Sequence, residues 1–202
     1  MRTCSYLALG DSYTIGEHVL LADSFPYQTV QFLRRNNNKT GFLAPEIIAK
    51  TGWTTDELLS AIAQRQLLPE YDFVSLLIGV NNQYRGRSVE NYKEEFEILL
   101  KTAIQFAGNE PNHVFVLSIP DWGITPFAAQ RDLTAIASEI DAYNSACKII
   151  TENHHCHFTE ITSSLRADSR RADFIAADGL HPSGKEYSKW AAKLSEAVSL
   201  NL

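Results

Sequence analysis

No apolar run in this 202-residue chain approaches the ~18 residues that a membrane-spanning helix needs. No integral membrane association is therefore expected. Cysteine is scarce, and the three present, Cys4, Cys147 and Cys156, are odd in number and scattered in spacing. That argues against a disulfide framework and against a zinc site, and it suits a reducing, cytoplasmic setting. Basic excess is missing too: the net charge is −6. The two arginine pairs, Arg34-Arg35 and Arg170-Arg171, read as solvated surface, so no nucleic-acid partner is expected. No repeat, low-complexity tract or linker interrupts the sequence, which reads as one domain over residues 1–202. The first apolar run begins almost at once and leaves no room for a signal peptide, although a leader already removed would leave no trace.

What is present is ordinary for a globular chain, with 45% hydrophobic and 21% charged residues. Five short apolar runs, Tyr6–Leu9, Glu46–Ala49, Phe73–Ile78, Val114–Ile119 and Cys156–Ile161, alternate with amphipathic stretches. Alternation of that kind predicts a parallel sheet with helices on both faces. The third and fourth runs are the most continuously apolar and belong at its centre. Helix one starts at Ser24, has Pro26 in its first turn and runs to Asn36-Asn37-Asn38. Helix two opens on a capping box, Thr54 to Glu57. Helix three starts near Ser88 and carries Tyr92, Phe96, Leu99, Ala103 and Phe106 on one face. Helix four carries Leu133, Ile136, Ile140, Tyr143, Cys147 and Ile150. Helix five opens on a second capping box, Ser183 to Glu186, followed by Tyr187, Trp190, Ala191, Leu194 and Val198. These stripes read as core.

Four places can carry chemistry. The first run ends at Gly10, and Ser12 follows it, just past the carboxyl end of a strand, where open α/β sheets bind ligands. Ser12 is either a turn residue or a nucleophile. Gly52 lies two residues before the Thr54 cap, where its N–H can face an anion or simply make a left-handed turn. Asn81 follows the third run. Its amide can donate to a developing oxyanion or form an Asx-turn. Its separation of seven residues from Ser88 argues against capping of helix three. Asp178 and His181 stand three apart in a glycine-containing turn, where a carboxylate can orient an imidazole. A surface turn with an incidental histidine has the same pattern. The cluster His154-His155-Cys156-His157 tempts a metal reading, because His155 and His157 share a face if Cys156 to Phe158 is a strand. Polar residues flanking a strand start are the preferred reading.

Taken together, Gly10-Asp11-Ser12, Gly52, Gly79-Val80-Asn81-Asn82 and Asp178-Gly179-Leu180-His181 resemble the blocks of the SGNH/GDSL hydrolases, and the resemblance spans nearly the whole chain. It implies an α/β, three-layer αβα sandwich with a flavodoxin-like five-stranded parallel sheet in the order 2-1-3-4-5. It implies Ser12 as nucleophile, His181 as base and Asp178 as its orienter. The N–H groups of Ser12 and Gly52 and the Asn81 amide would form the oxyanion hole, with Asp11 structural. Neither a metal nor a cofactor is implied. Tyr13 and Asn82 depart from the family's usual leucine and aspartate, which touches substrate fit and loop geometry and leaves the chemistry in place.

The activity implied is ester hydrolysis. Acyl transfer to a sugar or alcohol within the same family is an alternative, and so is a non-catalytic flavodoxin-like binding domain. The Gly-x-Ser-x-Gly elbow of the α/β-hydrolase fold is absent around Ser12. The substrate is a small-molecule, glycan or lipid ester, and the oligomeric state is not legible. No insertion is long enough for a separate lid. Tyr13, Trp53, Tyr84, Arg85, Trp122 and Phe127 are the candidate substrate-binding residues, with Trp53 reading equally well as core. Tyr84 and Arg85 lie on a short polar loop, Asn82 to Arg87, where Arg85 would receive a polar or anionic leaving portion. Trp122 and Phe127 lie on the Pro120–Phe127 segment, which its prolines should stiffen. A shallow site of this kind favours acetyl or butyryl groups.

Overall fold

In the computed structural model, residues 2–37, 39–168 and 172–202 are described, so Asn38 and the Arg170-Arg171 pair lie outside the described residues. Seven strands and eight α-helices follow one another along the described chain. The strands are β1 (Arg2–Cys4), β2 (Tyr6–Gly10), β3 (Thr40–Phe42), β4 (Glu46–Ala49), β5 (Phe73–Leu77), β6 (Val114–Leu117) and β7 (His157–Thr159). The helices are α1 (Ser12–Ile15), α2 (Phe25–Asn36), α3 (Thr55–Ala63), α4 (Val80–Tyr84), α5 (Val89–Phe106), α6 (Leu133–Asn153), α7 (Thr162–Asp168) and α8 (Gly184–Asn201).

The main sheet runs β4-β2-β5-β6-β7, with every pairing parallel. Counted among themselves, these five strands have the expected order 2-1-3-4-5. The short pair β1 and β3 forms a second parallel ribbon. It was not legible because Arg2–Cys4 and Thr40–Phe42 are too short and too polar to show a period. Right-handed crossovers decide the layers. The chain steps from β2 outward to β4, then back across to β5, β6 and β7. Hence α2 lies on one face, where it packs with α8, and α3, α5 and α6 lie on the other.

The core follows the sequence stripes. Strands β2, β5 and β6 are buried along their whole length. The α8 residues Tyr187, Trp190, Ala191, Leu194 and Val198 are all buried, and Trp190 packs edge-on against Tyr13 and Tyr187. On the other face the ring of Tyr92 (α5) lies 4.7 Å from that of Tyr143 (α6).

The α3 capping box forms, with Glu57 accepting from the Thr54 N–H at 2.9 Å. The one expected at α8 does not. There the Ser183 hydroxyl donates backward to the Asp173 carbonyl at 2.7 Å, and Glu186 turns inward to accept from Trp190 Nε1 at 2.9 Å. The Arg34 guanidinium is not free surface either, since Nε and Nη2 both donate to the Phe42 carbonyl and tie α2 to β3.

Register places the site. Gly10 pairs with Ala49 on one side and Leu77 on the other, so β2, β4 and β5 end level. The segments carrying Ser12, Gly52 and Asn81 therefore emerge side by side. The crossovers from β2 and β5 depart to opposite sides, which makes the crevice between them the topological switch point.

Candidate active site

Gly10 is required by close approach. A Cβ there would lie 2.1 Å from Thr14 Oγ1 and 2.4 Å from the Leu77 carbonyl oxygen. The chain then turns directly into α1. Asp11 caps that helix, accepting from the Tyr13 N–H at 3.0 Å, and Ser12 is its first residue. At the far end of the chain, an antiparallel bridge between Ile175 and Pro182 closes a loop. Inside it Asp178 Oδ1 accepts the N–H groups of Leu180 and His181, both at 3.1 Å. That turn aims Asp178 and His181 at Ser12.

The three side chains form a continuous line. His181 Nε2 is 3.0 Å from Ser12 Oγ, and His181 Nδ1 is 2.5 Å from Asp178 Oδ2. Burial pushes the Asp178 carboxyl up. The bond to His181 and the two N–H donors outweigh it and hold the group below its ordinary value. Tyr13 packs edge-on behind the imidazole, ring centroids 5.6 Å apart, and is itself buried.

Ser12, Gly52 and Asn81 line the same cavity. Gly52 has φ +85°, a left-handed conformation open to glycine, and its N–H has no acceptor among the described residues; nor has that of Ser12. Asn81 sits in α4, a helical turn where a loop was expected. Its Nδ2 donates to the Trp53 carbonyl at 3.0 Å and lies 3.5 Å from Asp11 Oδ2. Both amide protons are thus engaged, and the long contact to Asp11 is the weaker one, which a ligand oxygen would have to displace.

A cavity of about 200 Å³ opens beside Ser12 and His181. Gly52 and Asn81 lie on one wall. Tyr84, Trp122 and Phe127 form the other, with ring centroids 5.3 to 6.5 Å apart. Trp122 is fixed by donating from Nε1 to Gln83 at 2.8 Å. Its segment is held by Arg166, which donates to Asp121 at 2.8 Å, and by the Phe127 N–H, which donates to the Gly179 carbonyl at 3.0 Å.

Two expected lining residues are not brought to the cavity. Trp53 packs against the core. Arg85, expected to face a leaving group, instead donates to the Gly52 carbonyl at 2.6 Å and pairs with Glu57 at 3.2 Å. The carbonyl and carboxylate within its reach leave the guanidinium committed to the Gly52 turn.

The histidine cluster is dispersed. Strand β7 starts at His157, one residue later than a shared face for His155 and His157 requires. His155 turns left-handed, His154 bonds Glu97, and His157 stacks on Phe115. One residue that the sequence reading missed is His18. Its ring stacks on His181 at 6.0 Å, and its Nε2 lies 3.6 Å from Asp178 Oδ2. Nothing in the local pattern marks it, since the contact spans most of the chain.

A parallel sheet with a serine, a histidine and an aspartate gathered at its switch point defines a hydrolase of the GDSL type. The chain belongs to the GDSL-like lipase/acylhydrolase family, whose model matches residues 8–189. No curated protein sequence is significantly similar to it. Among solved structures it is similar to a lipase from a goat rumen metagenome, at 18% identity and TM-score 0.77, over 98% of this chain and 97% of that one. It is also similar to a lipase/acylhydrolase from Enterococcus faecalis, at 20% identity and TM-score 0.71, over 98% and 95%. A third is the psychrotrophic esterase EstA from Pseudoalteromonas, inhibited in that structure by monoethylphosphonate, at 15% identity and TM-score 0.67, over 99% and 98%. At these identities the neighbours establish the fold. Among the described residues, no helix is long and apolar enough to cross a membrane.

Proposed function

We propose that this enzyme is a serine esterase that hydrolyses carboxylic esters of short acyl chains. The observation that carries the reading is the unbroken line from Ser12 Oγ through His181 to Asp178. His181 Nε2 takes the hydroxyl proton as Ser12 Oγ attacks the ester carbonyl. Asp178 holds the imidazole in the tautomer with its proton on Nδ1 and supports the imidazolium that forms. The N–H groups of Ser12 and Gly52 receive the oxyanion, together with the Asn81 amide proton that leaves its long bond to Asp11. The imidazolium then gives its proton to the leaving alcohol, and water repeats the sequence on the acyl-enzyme.

A phosphonate ester tests this directly, and the monoethylphosphonate on the fold neighbour EstA makes it the natural probe. Ser12 should gain one phosphonyl group by mass spectrometry as activity disappears. Ser12→Ala should be inactive and unlabelled with an unchanged melting temperature. A label on another residue, or an active Ser12→Ala, rejects the assignment.

A further inference from the structure

We propose that His18, Asp178 and His181 form an inhibitory binding site for a zinc-class divalent cation. One ligand atom from each residue lies within 4.8 Å of the other two. His18 Nε2 and Asp178 Oδ2 are 3.6 Å apart. Two donors on one tetrahedral zinc, each about 2.1 Å from the metal, lie about 3.4 Å from one another. That pair is therefore already spaced for a shared ion. The His181–Asp178 contact at 2.5 Å has to widen by roughly 1 Å, within the reach of a side-chain rotation.

His18 carries two independent marks. Its backbone is left-handed at φ 61°, uncommon for a residue with a Cβ. The turn is fixed by the Glu17 N–H donating to the Ser12 carbonyl and the Val19 N–H to that of Gly16. The conformation presses the imidazole onto His181 with its Nε2 toward Asp178, yet 3.6 Å is beyond hydrogen-bond reach. The His18 ring makes no hydrogen bond among the described residues, and half of the side chain is open to solvent, so an ion can enter. Two imidazoles and a carboxylate are a ligand set that suits zinc and its neighbours in the transition series.

The consequence rests on the triad proposed above. A cation bound to His181 Nδ1 takes the lone pair of that nitrogen, so the proton held there passes to water while Nε2 takes one up from water, and Asp178 stays an ionised ligand. The neutral imidazole then carries its one proton on Nε2, facing Ser12. No proton is gained or lost overall, but the lone pair that must accept the Ser12 proton is gone. Inhibition therefore acts on kcat and leaves KM unchanged.

Zinc chloride titrated into an ester-hydrolysis assay should lower kcat at constant KM, and EDTA should restore it. His18→Asn keeps a residue that tolerates the left-handed conformation and removes the ligand. It should raise the half-inhibiting zinc concentration by at least about the tenfold that losing even an outer partner of a metal ligand costs. His18→Gly, relaxed at the same φ, should do likewise. Cobalt(II) added to Ser12→Ala should give visible absorption of a low-coordinate site, and Ser12→Ala/His18→Asn should not. Equal zinc inhibition of wild type and His18→Asn, or no cobalt absorption, overturns the site. Cobalt bands that depend on His18 in a wild-type protein without esterase activity would uphold the cation site and overturn the catalytic reading. Active hydrolysis indifferent to zinc would do the reverse.

Discussion

Asp11 is wholly buried beside Ser12, and that burial raises its carboxyl to about 7 against the opposing hydrogen bond from the Tyr13 N–H. A carboxyl raised above its unfolded value of 3.8 favours the folded state most when protonated. Its contribution is complete below that value and is lost as pH rises through about 7. Asp11→Asn keeps an acceptor for the Tyr13 N–H and removes the ionisation. Denaturant melts at pH 5 and pH 8 should therefore show wild type losing stability relative to Asp11→Asn by up to a few kcal/mol. A constant difference would show that Asp11 ionises as an exposed acid does. Asn81 is the second informative residue. Loss of one oxyanion donor typically costs roughly 10²–10³ in kcat, so Asn81→Ala should fall in that range with little change in KM. A lowered melting temperature with an unchanged kcat would instead assign Asn81 to holding Trp53 alone.

The departure of Asn82 from the family's aspartate has its explanation between elements. Asn82 is buried on α4 and joins α3 in both directions: Oδ1 accepts the Thr55 N–H at 3.1 Å, and Nδ2 donates to Thr55 Oγ1 at 2.6 Å. The Thr55 hydroxyl proton is spent on Glu95 of α5. A carboxylate at position 82 keeps the first bond, loses the second and faces Glu95, whose Oε2 is 3.5 Å from Asn82 Nδ2. Asn82→Asp, the family's own residue, should therefore cost about 1–3 kcal/mol, more at pH 8 than at pH 5. Thermal melts at both pH values check it, and a stabilised variant would mean that the three helices tolerate the charge. The same scale separates what sequence could show from what it could not. The α3 cap was legible because Thr54 and Glu57 answer one another locally. The pattern at Ser183 and Glu186 is identical, yet Asp173 and Trp190 outbid the box, and neither competitor is visible in a four-residue window. Arg85 was misplaced for a related reason. Its partner, the Gly52 carbonyl, lies on a different strand-end loop, and the sequence reading had only a rim position to assign. Its guanidinium fixes the turn that presents the Gly52 N–H. Arg85→Leu should lower kcat about tenfold with KM little changed, short of the roughly 10²-fold that a 1 Å misplacement can cost. An unchanged kcat would show the Gly52 turn to be self-supporting.

At the scale of the molecule, the sheet and the edge where β2, β4 and β5 end level were legible because they rest on period and order. Five apolar runs separated by amphipathic stretches leave few parallel topologies, and Ser12, Gly52 and Asn81 each follow closely on a run, whereas Asp178 and His181 come well after the last one, beyond α7. The cavity was less legible, since its wall is assembled from segments about forty residues apart, Tyr84 on α4 and Trp122 and Phe127 after β6. On the proposed function, those rings bound the space left for an acyl chain. The space beside Ser12 is about 200 Å³, below the roughly 300–1,000 Å³ of pockets for drug-sized ligands. Each further CH₂ of an acyl chain contributes its ~0.8 kcal/mol only while there is apolar wall to cover it. Trp122 is buried, and swinging it aside to lengthen the groove would break its bond to Gln83. Across p-nitrophenyl esters of graded length, kcat/KM should peak at acetyl or butyryl and fall beyond. Phe127 is half exposed and makes no side-chain hydrogen bond that its removal would orphan. Phe127→Ala should therefore open the wall at little cost in stability and move the peak toward longer chains. A wild-type preference for decanoyl esters would show that the Tyr84, Trp122 and Phe127 rings part to form an acyl channel. A peak that Phe127→Ala leaves in place would put the limit on chain length elsewhere in the cavity.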